Sequence, residues 1–363
     1  MASAVLAMPF PRYFQLYRPR LYNCRPRQGD GRSMSRRLAA SWRQIVPRLA
    51  PCSRSSHKLS AISGKAYLFG GEATARHAID SAVHVLDGDS WTKLEISGSE
   101  PPPRVGHAQC SVRDNSMLLF GGRTDVSMGE GNLDDTWLFD AGSGAWTQLD
   151  LRGEAPSPRS FHCATAAGDK VYIFGGCGAD GRLADLYELD LASRRWTAMP
   201  PSPDLPGRGG ATFEASADGR SLWVCAGFAG EETNDLLRFD ISTRQWERAP
   251  SGWLRPRSVS ASFSLAHPSG PALLLFGGEV SPSDKGHEGA GAFASDLIAI
   301  DAISGAPIHL VVEDGPKPAA RGWAAAAALS PTEAVLFGGL SGSDADPIRT
   351  NDAWLLSVDE PMA

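Results

Sequence analysis

One module is written six times along this chain, at roughly 50-residue spacing. Its parts are an arginine, a β-rich run ending in Gly-Gly, a strand bracketed by aspartates, and a tryptophan. The arginines are Arg54, Arg104, Arg159, Arg208, Arg257 and Arg321. The glycine pairs fall at Gly70-Gly71, Gly121-Gly122, Gly175-Gly176, Gly277-Gly278 and Gly338-Gly339. A repeat of this length restricts the chain to an array or ring of like units, because one unit alone cannot bury its own apolar face.

The third copy shows what each unit is. Arg159-Ser160-Phe161-His162 opens one strand, and Val171-Tyr172-Ile173-Phe174 is a continuous apolar strand of the fully buried kind. Gly175-Gly176 ends it, Asp185 to Asp190 brackets an alternating third strand, and Trp196 marks a fourth. Four antiparallel strands per unit, six times over, predict an all-β, six-bladed β-propeller. Trp91, Trp146, Trp196 and Trp246 are expected to be packing residues. Blade four replaces the glycine pair with Ala226-Gly227, and blade five lacks its tryptophan near Ile308-His309.

The sixth unit stops after Trp354-Leu355-Leu356, short of its fourth strand. The missing strand is expected at the other end, where Trp42-Arg43-Gln44-Ile45-Val46 precedes Arg54 by the spacing seen elsewhere. An N-terminal strand would then close the ring and remove an open sheet edge. The propeller is placed at 42–358, with a short tail over 359–363.

Residues 1–41 hold eight arginines against one acid, about +7, which leaves about −13 for the rest of a chain whose net charge is −6. This stretch is expected to be a basic disordered extension, an upstream start ahead of Met34, or a transit peptide. The location is accordingly cytoplasmic, or plastid or mitochondrial if the stretch is a transit peptide. The acidic body argues against nucleic-acid or anionic-membrane partners, and no apolar run is long enough for a span. Six cysteines without a CxxC pair argue against a zinc ribbon or a disulfide scaffold. A monomer or weak dimer is expected.

Strand topology places the six arginines and the residues just after each Gly-Gly around one mouth. There the arginines either bind an anion or pair with local acids and carbonyls, with Glu72 and Glu279 as the obvious partners. His57, His107 and His162 recur three residues after an arginine and are expected to form hydrogen bonds on inner strands. Blade five carries an insertion after its glycine pair, Glu279 to Glu288, with Asp284 and His287 within it. It is either a solvated polar loop or a divalent-metal site.

The repeated residues are the Kelch signature, and over roughly 42–358 the chain resembles Kelch proteins. The strings PPPRVG, PRSFH, GRGG, PRSV, GGE with a histidine eight residues on, and RGW are similar to the plant nitrile-specifier, thiocyanate-forming and epithiospecifier group and its wider Kelch relatives. That resemblance implies diversion of glucosinolate aglucones toward nitriles, with Fe(II) held at Glu279, Asp284 and His287. The aspartate stands five residues after the glutamate, where the group has it at four, a position occupied here by Ser283. It further implies that Arg104 and Arg159 contact the sulfate leaving group and that Trp323 walls the pocket. The implied activity is lyase-like, and the implied partner is a small sulfated aglucone supplied by a thioglucosidase. A non-catalytic scaffold that presents its loops to a protein partner is the other expectation.

Overall fold

The computed structural model describes residues 36–124 and 131–360. The basic extension expected over 1–41 lies, up to residue 35, outside the described residues. The described residues form a six-bladed propeller. In blade III the strands run outward from the axis as Cys163–Ala167, Lys170–Gly178, Gly181–Asp190 and Arg195–Ala198, all antiparallel. Blades I, II, IV and V repeat this order from innermost strands Lys58–Ile62, Ala108–Val112, Thr212–Ala215 and Ala261–Leu265. Each innermost strand touches the next, and that of blade VI, Ala325–Ala328, touches both blade V and blade I, so the ring is closed.

Closure is made by the first described strand, β1 (Arg37–Ile45). It pairs antiparallel with Pro347–Asp359 of blade VI, from Ala39↔Asp359 to Ile45↔Ala353. It also pairs in parallel with Pro307–Val312 of blade V, from Arg37↔His309 to Ala40↔Val312, so the two blades share one sheet. β1 begins at Arg37, five residues before the boundary expected from composition. The last residues of the basic stretch are therefore part of the closing strand.

The tryptophans join blades. Trp146 of blade II meets Phe69 of blade I at 5.4 Å, Trp196 meets Phe120 at 5.6 Å, Trp246 meets Phe174 at 6.2 Å, Trp91 meets Phe337 at 4.9 Å and Trp42 meets Phe276 at 5.3 Å. Each indole thus reaches the second strand of the preceding blade. Burying one ring contributes about 4–6 kcal/mol of gross transfer energy. The junction between blades IV and V lacks both members of the pair. In blades II–IV the residue before the second aspartate faces the indole, as Leu189↔Trp196 does, but in blade V Ile300 faces Pro307. The phenylalanine position of blade IV is Cys225, wholly buried. Trp223 of blade IV fills the junction instead, donating its indole N–H to the Ala302 carbonyl at 2.9 Å.

The glycine pairs serve blade-to-blade approach. A Cβ on Gly70 would lie 2.7 Å from the Arg104 carbonyl oxygen and 2.7 Å from the His107 ring. The second glycine of each pair donates its N–H to the arginine carbonyl of the following blade, as Gly71 does to Arg104 at 3.0 Å and Gly339 to Arg54 at 2.9 Å. Ala226 takes the first glycine's place in blade IV with φ +58°, beside a blade that offers Ser260 where others have histidine.

Candidate functional site at the axial mouth

The six repeat arginines are sealed, none more than 2% exposed. Each donates to the carbonyl of the residue two before it and to the first residue of its own glycine pair, as Arg159 does to Ser157 and Gly175, both at 3.0 Å. In blades II to VI the guanidinium then meets an aspartate within or just before its own blade's third strand, and Arg54 reaches Asp80 at 3.9 Å. Arg104 holds Asp135 at 2.6 and 2.8 Å, Arg159 holds Asp185 at 2.6 and 2.9 Å, and Arg257 and Arg321 hold Asp296 and Asp352 in the same forked way. The expectation that Arg104 and Arg159 contact a sulfate is corrected by this geometry. All five N–H groups of Arg159 are used within the protein, and neither side chain has surface at the mouth. The expected partners Glu72 and Glu279 are corrected too, because the partner lies on the blade's third strand and not beside the glycines.

Inside the arginines runs a closed ring of backbone hydrogen bonds. The residue two after each arginine, namely Ser56, Gly106, Phe161, Gly210, Val259 and Trp323, donates its N–H to its counterpart in the preceding blade, and Ser56 completes the circle by donating to Trp323 at 3.0 Å. All six have positive φ, between +49° and +61°. Trp323, expected to wall the pocket, stands in this ring with its indole 5.5 Å from the Phe161 ring. Two of the ring's wide side chains fit only because their neighbours are glycines. A Cβ on Gly106 would sit 2.8 Å from the Phe161 ring, and one on Gly322 would meet Phe293 at 2.8 Å and Val259 at 3.0 Å.

Below the ring lie His57, His107 and His162, lining a cavity of about 50 Å³ with Phe161 and Trp323. Nε2 of His57 lies 3.1 Å from the Phe337 carbonyl oxygen, and that of His162 lies 3.1 Å from that of Phe120. A carbonyl only accepts, so both imidazoles carry their proton on Nε2. Burial, with the nearby arginine, lowers the His57 pKa to about 3 and holds His107 and His162 well below the ordinary value. They are neutral packing groups and not bases poised near neutrality. His107 packs edge-on against Phe69 at 5.6 Å.

A second set of residues rims the mouth, one from each blade, directly after the glycine pair or its equivalent: Glu72, Arg123, Cys177, Phe228, Glu279 and Leu340. Each bridges to the residue after an arginine, as Val105↔Arg123 and Ser258↔Glu279. These six positions carry two glutamates, an arginine, a cysteine, a phenylalanine and a leucine, although the residues around them repeat. Arg123 is the outlier: it is 1% exposed, its guanidinium carbon lies 4.8 Å from the centre of the Phe161 ring, and its Nε and Nη2 have no hydrogen-bond partner. Burial lowers its pKa, with Glu72 opposing that shift and Arg76 adding to it. Glu72 is itself engaged, accepting from Ser55 and Ser56 at 3.2 Å and from Arg349 at 3.3 Å. Sequence reasoning passed over Arg123. The signal that identifies it is the non-repeating residue after an otherwise repeating Gly-Gly.

Glu232 lies beside Glu279 on the opposite rim. Burial, reinforced by the Glu279 charge, pushes its pKa up to about 7.

The blade-five insertion forms a short hairpin, Glu279–Ser281 with Ala292–Phe293, around a single 3-10 turn at Gly286–Glu288. It is tied to the last hairpin of blade VI through Asp344, which accepts from Ser283 Oγ and from the Asp284 N–H at 3.1 Å. Glu288 reaches Arg76 of blade I at 3.2 Å. Glu279 is 9% exposed, Asp284 is exposed, and the His287 side chain lies outside the described residues. Among the described residues no three His, Cys, Asp or Glu side chains converge as metal ligands. Ser283, at the position where the resembled group has its aspartate, is a hydrogen-bond donor that pins the loop.

Residues 56–278 match the KLHDC2/KLHL20/DRC7 Kelch-repeats domain. Over 323 residues the chain is 29% identical to the N-(sulfonatooxy)prop-2-enimidothioate sulfolyase of Thlaspi arvense, covering 80% of this chain and 89% of that protein. It is 27% identical over 332 residues to putative adagio-like protein 2 of Oryza sativa subsp. japonica, where 84% of this chain spans 50% of the relative. Among solved structures, that of YjhT superposes with a TM-score of 0.63 at 17% identity, covering 84% of this chain and 95% of that one, a likeness of fold.

Proposed function

The chain belongs to the Kelch-repeat family, and on that premise we propose that its axial mouth binds a small sulfated organic anion at Arg123. The observation that carries this is the buried guanidinium with two nitrogens lacking partners, over the face of Phe161. A buried cation left incompletely bonded is costly, and a sulfate or carboxylate fork relieves that cost through charge-assisted hydrogen bonds. Phe161, Val259, Phe293 and Trp323 supply an apolar wall for the organic part. The sulfolyase relative acts, by its name, on an N-sulfonatooxy imidothioate, which has this combination of sulfate and short apolar chain. In this reading the substrate is a sulfated aglucone delivered by a separate thioglucosidase, and its sulfate faces Arg123 in place of Arg104 and Arg159.

Fe(II) at Glu279, Asp284 and His287 is a separate proposal. Iron would supply a sulfur-binding centre, while Arg123 and the aromatic wall hold and orient the anion without it. Metal content of protein purified anaerobically, wild type against His287→Ala, tests it.

The test of the binding reading is product distribution. A glucosinolate, a thioglucosidase, Fe(II) and this protein should give more nitrile than the same mixture without the protein, and Arg123→Met should remove the difference. Unchanged product ratios across several glucosinolates would reject the reading. A second reading, a module that presents its mouth to a protein, is favoured by the match to only half of the adagio-like relative, which shows such a propeller carried inside a longer chain. A cytoplasmic site of action is proposed with either reading.

A further inference from the structure

On the far side of the backbone ring the axis widens into a cavity of about 610 Å³, enclosed by the six innermost strands. Its volume is that of a small-molecule site. Its wall is rich in alanines and serines, and two of its lining residues are an acid and a base: Lys58 on the innermost strand of blade I and Glu214 on that of blade IV.

These two stand on opposite blades of the ring. They are not within ion-pair distance of each other, and Lys58 has no ion pair or side-chain hydrogen bond among the described residues, although its charge acts on Glu214 and Cys163 of the cavity wall. Glu214 accepts from Ser262 Oγ at 2.8 Å. The remaining polar lining is also half-used. Gln109, 6% exposed, donates its amide N–H groups to Ser60 Oγ at 3.0 Å and the Tyr67 carbonyl at 3.1 Å, and its Oε1 has no partner. Ser264 Oγ, also on the wall, has none either. Both orphaned atoms are themselves buried, so the groups of opposite charge that the cavity presents to an occupant are Lys58 and Glu214.

We propose that this cavity is a binding site for a small zwitterion of the amino-acid class, its carboxylate on Lys58 and its ammonium on Glu214. A molecule carrying both charges a few bonds apart bridges a cation and an anion that cannot reach each other. A simple anion or cation would satisfy one wall and leave the other exposed to a like charge.

The site is separate from the mouth, so the two proposals can fail independently. L-Serine and L-glutamine are titrated against the full-length protein by thermal shift and calorimetry, alongside their N-acetyl and carboxamide forms, which lack one charge each. The zwitterions should raise Tm by about 2–4 °C at saturation. The single-charge analogues should not. Lys58→Met and Glu214→Gln should each weaken binding at least about tenfold, whereas Arg123→Met should leave it unchanged. Lys58→Arg, which keeps the charge, should retain binding and guards against loss through misfolding. No shift with any amino acid, equal shifts with the analogues, or undiminished binding in both charge variants would overturn the proposal.

Discussion

Arg104 and Arg123 belong to the same blade and are equally buried, yet they live in opposite circumstances. Arg104 recurs in all six blades and is forked onto Asp135, with carbonyls taking further donors. Arg123 occurs once, stacks on Phe161 and has two nitrogens without partners. The repeated cation is satisfied because the repeat supplies its partners each time. The unrepeated one sits at a position that the repeat does not provision, buried beside the mouth. In a ring of like blades, residues that recur hold the ring, and residues that break the pattern at a fixed position describe what the ring contacts.

The largest effect that could break this contrast is on stability. Arg159→Ala leaves Asp185 and buried carbonyls without their donor and should cost about 3–5 kcal/mol in chemical denaturation. Arg123→Met, by contrast, replaces an incompletely bonded buried charge with an apolar chain and should change stability by less than about 1 kcal/mol, or raise it. Equal losses in the two variants would end the distinction.

The next effect is in pH dependence. His57 is held at about 3 in the fold against 6.5 unfolded, and His107 and His162 are lowered likewise. Between these values the unfolded chain binds protons that the folded chain does not, so stability should fall as pH drops below about 6.5. His57→Gln should reduce that slope by about one proton in denaturant midpoints measured from pH 6.5 to 4. An unaltered slope would remove the histidines from the repeated, structural set.

The smallest effect belongs to the unrepeated rim. The Glu232 carboxyl is raised to about 7 in the fold against 4.5 unfolded, so the folded state keeps a proton through that window. Its contribution is present below about 4.5 and is lost as pH rises through 7. Glu232→Gln should therefore be slightly more stable than wild type at pH 8 and close to it at pH 5. A loss at pH 8 would show that the ionised carboxylate is held by partners, as the repeated groups are.

Much of this architecture was legible in advance. Blade count, strand order within a blade, closure by the segment containing Trp42 and the missing tryptophan of blade five all follow from spacing, because each repeat must bury its face on its neighbour. The partners of the arginines were read wrongly. Asp135 lies 31 residues after Arg104 and Asp296 lies 39 after Arg257, whereas Glu72 and Glu279 stand close to the mouth and drew attention by proximity. The missing tryptophan of blade five shows in the spacing, but its replacement by Trp223 does not, because Trp223 lies on a different strand of a different blade. Of the candidate site, Trp323 was named from resemblance, while Arg123, Phe161 and Phe293 were not.

By itself, then, the sequence determined the periodic part: which residues recur, how many blades form, and which strand completes the last one. Only the tertiary structure decided what the non-periodic residues do, since closing the ring brings Ser56 onto Trp323 and sets Lys58 opposite Glu214, contacts and facings whose partners lie far apart along the chain. Periodicity is a local property and can be read along a chain. The meeting of unlike residues around an axis is a property of closure, and it exists only once the ring does.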